Sequence, residues 1–411
     1  MTERLHLVSP QDARQVFFRN IPPPKPMMET IKTMAALGRV TAHSINAPEP
    51  SPAFSKSTMD GYAVFSKDVE GASNDSPVKL AVIEEVPMGK APEFSVGAHQ
   101  AAVIHTGGML PEGADGVVMV EDTQIDSTGH VWVQNPVKMG ENVVLKGEDI
   151  RLGQEILPAG KMLRPADIGG LLSLGLTQVE VNRRPKVGII SSGDEVIPPD
   201  RQPQIGQVRD VNSFDLAALV TRQGGQPVIN GITSDKPDRL KETILASLAE
   251  NDMVIITAGS SASERDLTAK TIQDIGNPGV LVHGINIRPG KPTILAVCDG
   301  KPVIGLPGNP LSALVIATLF VPPVINYLAG LPPFPPQATL TAHLTQPVSS
   351  LFGKEEWLPV KLQAIPGGYE ADPIEFKSSF IFNLVFADGM FCIPADQQGL
   401  EAGSMVNIIL F

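Results

Sequence analysis

Between residues 187 and 327, the sequence alternates short, almost continuously apolar runs with longer amphipathic runs. This alternation predicts buried strands separated by helices that cover both faces of a parallel sheet. The predicted strands are 187–191, 227–231, 253–258 and 302–306. The predicted helices are 212–223, 237–251, 266–273 and 310–327. Ligands bind such sheets outside the carboxyl ends of the strands, so the loops that follow the strands are candidate binding loops.

The rest of the chain has other patterns. Residues 9–45 are predicted to form two helical pieces, separated by the proline-rich run 21–26. Short β-rich runs at 78–85, 101–104, 116–121 and 130–134 predict a small β domain, and a helix at 165–174 and a strand at 178–182 follow it. After the stiff linker 331–336, the chain is predicted to form another β domain. The predicted domains are 1–47 with 136–182, then 48–135, 183–330 and 337–411.

Charge and cysteine content narrow the function classes. A net charge of −12 disfavours a broad basic surface for nucleic acid or an anionic membrane, although local groups can still hold a small anion. Cys298 and Cys392 form neither a disulfide framework nor a zinc motif, and the N-terminus has no apolar signal core, so we expect a cytoplasmic protein. The most apolar run, 311–328, contains Pro322 and Pro323 and is predicted to be a buried helix rather than a membrane span.

Two loops of the 187–327 region carry carboxylates. The loop 191–195 combines small residues with Asp194 and Glu195, and it is either a plain turn with solvated acids or a contact for phosphate or metal. In the loop 208–213, Asn212 is predicted to cap the next helix, whereas Asp210 is available for a divalent cation. Mg²⁺ typically takes one or two carboxylates together with phosphate oxygens and waters.

Three further loops offer groups for an anion. The loop 257–266 is rich in small hydroxyl residues that suit phosphate. In 305–312, Asn309 and Pro310 are typical of a helix start, where free N–H groups and the exposed backbone of Gly308 favour anion binding. In 286–292, Arg288 and Lys291 flank a Pro-Gly turn. Each loop also has a purely structural interpretation. The loop 257–266 would be a plain polar loop, 305–312 would simply begin a helix, and 286–292 would carry two solvated cations.

Seven motifs, in this order, resemble the MoeA/gephyrin E-domain family of molybdopterin molybdenumtransferases over essentially the whole chain. They are STMDGYAV (57–64), HTGG (105–108), GEDI (147–150), SSGDEV (191–196), RDVN (209–212), RPGKP (288–292) and GLPGNP (305–310). The resemblance implies a multidomain α/β protein. Its central three-layer α/β domain would have a mostly parallel sheet of the molybdopterin-binding type, accompanied by β-rich domains and a small C-terminal β-barrel-like domain.

The resemblance also implies an activity. A transferase of this kind inserts molybdenum from molybdate into adenylylated molybdopterin and releases AMP, with Mg²⁺, in molybdenum cofactor biosynthesis. The implied protein is a homodimer in which residues 48–135 of one subunit face the α/β domain of the other. A molybdopterin adenylyltransferase or an apo-molybdoenzyme is the implied protein partner.

Residue by residue, the resemblance assigns three sets of functional positions. The implied catalytic residues are Asp60, Glu195, Asp266 and Asp149. The implied metal ligands are Asp194, Glu195 and Asp210. The implied substrate-binding residues are Thr106, Ser191, Gly193, Asp194, Ser261, Arg288, Pro289, Gly290, Lys291, Pro292, Pro307, Gly308, Asn309 and Ser312. Molybdate is an anion, so Arg288, Lys291 and Ser261 are its expected contacts.

The chain departs from the family pattern at several positions. In the loop 258–266, Ala258, Ser260 and Ser263 stand where the family has Gly, Val and Gly. Phe380 stands at a position where the family often has arginine, and Lys354 replaces an arginine. The altered loop and Phe380 favour an alternative, a non-catalytic molybdopterin-binding or partner-binding relative. The retained acids argue against it: Asp60, Glu195, Asp210 and Asp266. A third possibility, an adenylyltransferase, is disfavoured by the additional domains at 1–182 and 338–411.

Overall fold

The structure is a computed structural model that describes residues 7–258, 262–336, 338–374 and 379–411. Its contacts divide the chain into two compact units. The large unit comprises Met1–Glu29, Gly38–Val40 and Glu180–Phe411, and the small unit comprises Thr30–Leu37 and Thr41–Val179. The predicted division into four domains stays a prediction.

Four of the seven α-helices in the described part of the chain begin with proline, whose missing N–H has no partner in the first turn of a helix. The helices are α1 Pro10–Asn20, α2 Pro165–Ser173, α3 Asn212–Arg222, α4 Pro237–Glu250, α5 Ala262–Ile275, α6 Pro310–Leu328 and α7 Phe382–Val385. Short 3₁₀ turns occur at Thr33–Ala35, Ser66–Val69 and Val120–Asp122.

The first strands of the chain build mainly the small unit. They are β1 Met28–Lys32, β2 Ile45–Asn46, β3 Lys56–Ser57, β4 Gly61–Val64, β5 Val78–Glu85, β6 Gln100–Ile104, β7 Gly116–Met119, β8 Thr123–Ile125, β9 His130–Val133, β10 Val143–Val144, β11 Glu155–Leu157 and β12 Gln178–Asn182. Six of them form a sheet in the order β7-β4-β6-β5-β9-β8, and apolar side chains are buried on both of its faces. The predicted β-rich runs and α2 are confirmed.

The prediction of a second helical piece after residue 26 is wrong. That segment contains β1, the 3₁₀ turn Thr33–Ala35 and β2 instead. The amide of Thr33 donates to the carbonyl of Thr177, and its hydroxyl donates to the carbonyl of Leu176. Partners more than 140 residues away therefore decide the backbone conformation, and the local sequence pattern does not.

The central strands of the large unit are β13 Lys186–Ser192, β14 Val196–Ile197, β15 Val208–Arg209, β16 Gln226–Thr233, β17 Met253–Ala258, β18 Pro278–His283, β19 Ile287–Arg288, β20 Ile294–Cys298 and β21 Lys301–Pro307. The main sheet has the order β16-β13-β17-β21-β20-β18. Its first four strands are parallel, as predicted, whereas β20 and β18 are antiparallel. The sequence patterns did not predict β18 and β20.

Helices cover both faces of this sheet. One apolar core joins α1, α3 and α6 to the sheet, and a second joins α4 and α5 to its other face. Helix α6 is long and apolar enough to cross a membrane, but 72% of its most apolar stretch is buried inside the protein. It runs uninterrupted through Pro322 and Pro323 and fits the prediction of a core helix.

The C-terminal strands are β22 Leu340–Leu344, β23 Val348–Ser349, β24 Glu355–Ile365, β25 Gly368–Pro373, β26 Gly389–Ile393, β27 Gly399–Leu400 and β28 Met405–Leu410. Five of them close into a barrel in the order β24-β25-β22-β28-β26, because β26 also pairs with β24. Strand β19 adds to the barrel by pairing with β24. The predicted fold class is confirmed: a three-layer α/β domain with a mostly parallel sheet, β-rich regions and a C-terminal barrel.

Candidate functional site

A cavity of about 370 Å³ opens at the carboxyl ends of β13, β17 and β21. We call it the strand-end cavity. It is lined by Ser191, Ser192, Glu195, Val196, Val208, Arg209, Asp210, Val211, Asn212, Thr257, Gly308, Asn309, Pro310 and Ser379. Parallel strands direct their carboxyl ends to one edge, so residues far apart in sequence meet there. The structure thus brings together five predicted site residues: Ser191, Glu195, Asp210, Gly308 and Asn309.

The floor of the cavity carries hydroxyl groups. The hydroxyl of Ser191, near the end of β13, lies 3.3 Å from the hydroxyl of Thr257 in β17, and both residues are buried. The neighbouring Ser192 donates to Asp235 Oδ1 at 2.5 Å. Asp235 Oδ2 also accepts from the amide of Asp194 at 3.4 Å, so Asp235 holds the loop that follows β13. Gly193 and Asp194 belong to this loop but do not line the cavity.

The short parallel pair β14–β15 places the two acids of the cavity. Val208 donates its amide to the carbonyl of Glu195, and Asp210 donates its amide to the carbonyl of Ile197. The backbone hydrogen bonds of this strand pair therefore position both Glu195 and Asp210. Arg209 is the cation of this wall, and its guanidinium contacts the carbonyl of Arg201 and the side chain of Gln202.

Asp210 also caps α3, which corrects the predicted role of Asn212. Asp210 Oδ1 accepts from the amide of Ser213 at 3.1 Å, whereas Asn212 is the first helical residue and donates its side-chain amide to the carbonyl of Gly308 at 2.9 Å. Asn212 thus ties the start of α3 to the loop before α6. One turn further on, burial and the nearby Asp210 raise the pKa of Asp215.

The opposite wall is the start of α6. Asn309 is the N-cap residue and Pro310 is the first helical residue, as predicted. Pro307 ends β21 and is buried, and Ser312 is buried in the first turn of α6; neither lines the cavity. The free N–H groups and the dipole of the helix start favour an anionic group on this side of the cavity.

The loop 286–292 does not line the cavity. Arg288 forms an ion pair with the buried Glu356, with 3.1 Å between guanidinium nitrogen and carboxylate oxygen, so it contacts the barrel strand β24. A Cβ on Gly290 would lie 2.2 Å from Ile316 Cγ1, so packing against α6 requires the glycine at that position. Pro289 is buried, Pro292 is half-buried and Lys291 is exposed.

Two predicted residues belong to the loop 258–266. Asp266 is exposed on α5 and does not line the cavity. Ser261 lies outside the described residues.

No cluster of three or more acidic, histidine or cysteine side chains that could hold a metal occurs in the described ranges 7–258, 262–336, 338–374 and 379–411. The strand-end cavity offers two carboxylates, Glu195 and Asp210. Two carboxylates are the donor set that Mg²⁺ uses together with phosphate oxygens and waters. The cavity thus fits a metal that arrives with a phosphate-bearing ligand.

The small unit has its own group of polar side chains, which we call the Asp60 row: Asp60, Thr106, His105 and Glu85. Asp60 Oδ1 accepts from the amide of Thr106 at 2.7 Å and from its hydroxyl at 3.1 Å. The amide hydrogen bond is the main reason why the pKa of Asp60 lies below its ordinary value, followed by the hydroxyl of Thr106 and then by His105. The structure thus brings together the predicted residues Asp60 and Thr106.

The packing around Gly61 explains why glycine follows Asp60 in the first motif. Strand β4 runs between β6 and β7, and a Cβ on Gly61 would lie 1.9 Å from the carbonyl oxygen of Val118. Only glycine therefore fits directly after Asp60, at the start of β4.

Asp149 lies apart from the Asp60 row. It lines a smaller cavity of about 180 Å³ with Ser51 and residues of α2, and its carboxylate accepts from the hydroxyl of Ser51 at 3.4 Å. The same cavity is bordered by Asp167, which is held by Lys161 and Arg164.

Sequence reasoning missed several residues of these groups. Asp235 follows the end of β16 and was detectable, because it is a carboxylate just beyond a predicted strand end. Arg209 lies inside a recognised motif without having been given a role. Ser379 comes from the segment after β25, and no local pattern places it at the cavity.

Three family models match the chain. They are the MoeA N-terminal region (domain I and II) over residues 8–175, a probable molybdopterin binding domain over 188–327, and the MoeA C-terminal region (domain IV) over 341–411. A molybdopterin molybdenumtransferase from Nostoc sp. is 33% identical over 408 residues, covering 98% of this chain and 93% of the relative. A putative molybdopterin biosynthesis protein from Methanocaldococcus jannaschii is 34% identical over 395 residues, covering 93% of this chain and 92% of the relative. The crystal structure of a molybdopterin biosynthesis MoeA protein from Pyrococcus horikoshii OT3 has a TM-score of 0.85 and 30% identity, covering 98% of this chain and 100% of that one.

Proposed function

The chain belongs to the MoeA family, and we propose that it is a molybdopterin molybdenumtransferase that inserts molybdenum from molybdate into adenylylated molybdopterin and releases AMP. The strand-end cavity is the observation that carries the proposal. All of its lining residues except Ser379 belong to the region that matches the molybdopterin-binding family model, and it combines hydroxyls, a helix start and two acids.

The walls of the cavity suit different parts of such a substrate. The start of α6 offers N–H groups and a positive dipole end to phosphate oxygens. The hydroxyls of Ser191 and Thr257 bond to each other, which uses one of their two hydrogens, so the pair keeps one O–H donor for the substrate. Glu195 and Asp210 would hold Mg²⁺, which neutralises phosphate charge when it is bound. Without that cation, the two carboxylates would repel an anionic substrate.

Asp60 is the proposed catalytic acid–base group outside this cavity. Hydrogen bonds from Thr106 fix its Oδ1 and stabilise its ionised form. An ionised carboxylate with one oxygen fixed can orient a water or another protonated oxygen at the adenylyl phosphate. Molybdate is a substrate in this scheme, and the pterin supplies the sulfur ligands of the metal.

The oligomeric state and the cellular location are also proposals. We propose a homodimer, on the basis of the family resemblance, in which Asp60 of one subunit serves the strand-end cavity of the other. We also propose a cytoplasmic location. Cys298 and Cys392 are unpaired, and burial raises the pKa of their thiols to about 11 and about 12, so both stay protonated at neutral pH.

The test is a reaction of the purified chain with adenylylated molybdopterin, Mg²⁺ and molybdate. AMP release and activation of an apo-molybdoenzyme are expected only when all components are present. Tight molybdopterin binding without AMP release would instead indicate the non-catalytic relative. AMP release at the same rate with and without molybdate would contradict the molybdenum-transfer step.

A complementation experiment tests the shared site. Asp60→Ala and Asp210→Ala subunits are unfolded, mixed and refolded together, and they are assayed at a low Mg²⁺ concentration at which each is inactive alone. Mixed dimers would contain one intact pair of Asp60 and Asp210 across subunits, so partial activity is expected to return. No recovery in mixtures proven to contain heterodimers would contradict the shared site while leaving the transferase proposal in place.

A further inference from the structure

The Asp60 row is built from the ends of three neighbouring strands. In the order β4-β6-β5, Asp60 precedes β4, His105 and Thr106 follow β6, and Glu85 ends β5. The pairing of Gly61 with Ile104 and of Glu85 with Val103 brings these ends side by side. The row is therefore fixed by sheet register, although its side chains are exposed.

The two oxygens of Asp60 have different surroundings. Oδ1 receives the amide and hydroxyl of Thr106, and His105 Nδ1 lies 3.7 Å from the same atom. No partner for Oδ2 occurs among the described residues. The donors thus pin one oxygen and leave the other to face a ligand.

The imidazole of His105 is held from its other side. Its Nε2 lies 3.2 Å from Glu85 Oε1, so each ring nitrogen faces a carboxylate oxygen. Glu85 therefore fixes the ring in the orientation in which Nδ1 points at Asp60.

We infer that His105 is a positioning residue for Asp60: its Nδ1 lies at ion-pair distance from Asp60 Oδ1 while Glu85 holds its Nε2. The kinetic consequence of this inference rests on the proposed function, whereas its geometric part does not. Without His105, Oδ1 would be held by Thr106 alone, and a small misplacement of a reacting group slows catalysis strongly.

Three substitutions of His105 separate positioning from simple packing. In asparagine, Nδ2 is attached to Cγ, as Nδ1 is in histidine. The His105→Asn variant therefore keeps a donor near Asp60 but loses the contact with Glu85. Glutamine reaches instead toward the position of Nε2, so His105→Gln keeps contact with Glu85 and loses Asp60. His105→Ala loses both contacts.

For AMP release, we expect kcat to fall about tenfold to a hundredfold in His105→Ala and His105→Gln, with KM changing less than about twofold. His105→Asn should restore kcat to within about threefold of the unmodified chain. The matched control is His130→Ala, because His130 Nδ1 also lies 3.7 Å from an aspartate oxygen, that of Asp126, in the same sheet. This control should leave kcat unchanged. Equal losses in the Asn and Gln variants, or full activity in His105→Ala, would overturn the inference.

A second measurement does not require turnover. Carboxyl-carbon NMR titration of Asp60 should show a higher pKa in His105→Ala and His105→Gln, because a donor to its ionised form has been removed. His105→Asn should show a smaller rise, and His130→Ala should show none. If the unmodified chain releases no AMP, the proposed function fails, but these shifts still decide the role of His105. An unchanged Asp60 pKa in all variants would overturn it.

Discussion

The strand-end cavity and the Asp60 row present carboxylates in opposite ways. Asp210 is 4% exposed and is held by the backbone of α3, whereas the side chain of Asp60 is 63% exposed and held by a neighbouring loop. The cavity encloses volume and can bind a ligand, while the row offers a fixed, ionised oxygen on an open surface. On the proposed function, we therefore propose a division of labour in which the cavity provides affinity and the row provides chemistry.

The Asp60→Ala substitution tests this division of labour most strongly. The loss of a group that acts on the reacting atoms should lower AMP release by about 10²–10⁴-fold. Molybdopterin affinity, measured by calorimetry, should stay within about twofold, because the binding cavity is intact. Turnover that persists, or binding that falls together with turnover, would remove the distinction between the two regions.

The next largest expected effect is on the stability of the sheet that carries the Asp60 row. In Gly61→Ala, the new Cβ would collide with the carbonyl oxygen of Val118, and we expect a loss of about 3 kcal/mol in unfolding free energy. Hydrogen exchange should accelerate in β4, β6 and β7 first. Gly71→Ala is the matched control, since nothing lies within 4 Å of its added Cβ, and its stability should change by less than about 0.5 kcal/mol. Similar stability of the two variants would mean that the sheet tolerates displacement of β4.

The sequence predicts the scaffold of the cavity better than its contacts. The parallel strands β13, β17 and β21 are evident because both faces of the sheet are covered and their runs are almost continuously apolar. Strand β20 was missed although its run is as apolar and buried as theirs, and nothing in that run shows that it pairs antiparallel with β18 and β21. Apolar periodicity therefore shows that a strand is buried, but it does not show which strand pairs with which.

Side-chain partners distant in sequence explain the remaining differences. Arg288 has the charge of an anion contact, but Glu356 on the barrel lies 3.1 Å from it. The position of Asn212 at a helix start suggested a cap, but Asp210, two residues earlier, supplies the hydrogen bond. Likewise, the motif containing Asp60 was recognisable, whereas its contact with His105 depends on the order β4-β6-β5.

Within the cavity, Asp210→Asn separates metal binding from helix capping. Asparagine can still accept from the amide of Ser213, so stability should be nearly unchanged. The lost charge should raise the Mg²⁺ concentration needed for half-maximal AMP release about tenfold, which corresponds to about 1.4 kcal/mol. Asp210→Ala should add a stability loss of about 1 kcal/mol.

Asp200→Asn, on an exposed turn, is the charge control for this experiment and should leave the Mg²⁺ requirement unchanged. An unaltered requirement in Asp210→Asn would mean that the cavity acids serve the ligand without a metal.

The smallest predicted effect concerns Asp215, whose burial makes it the opposite of Asp60. Its pKa is raised by burial and then by Asp210, so folding stability falls as pH rises from the unfolded pKa of about 4 through the higher folded pKa. Asp215→Asn removes this penalty and should increase the unfolding free energy at pH 7, with the gain disappearing below about pH 4. The control Asp238→Asn lies exposed in the first turn of α4, where a negative charge favours the helix, so it should slightly destabilise the protein. Denaturant titrations at both pH values measure the difference, and a loss of stability in Asp215→Asn at pH 7 would show that the buried acid is satisfied in its ionised form.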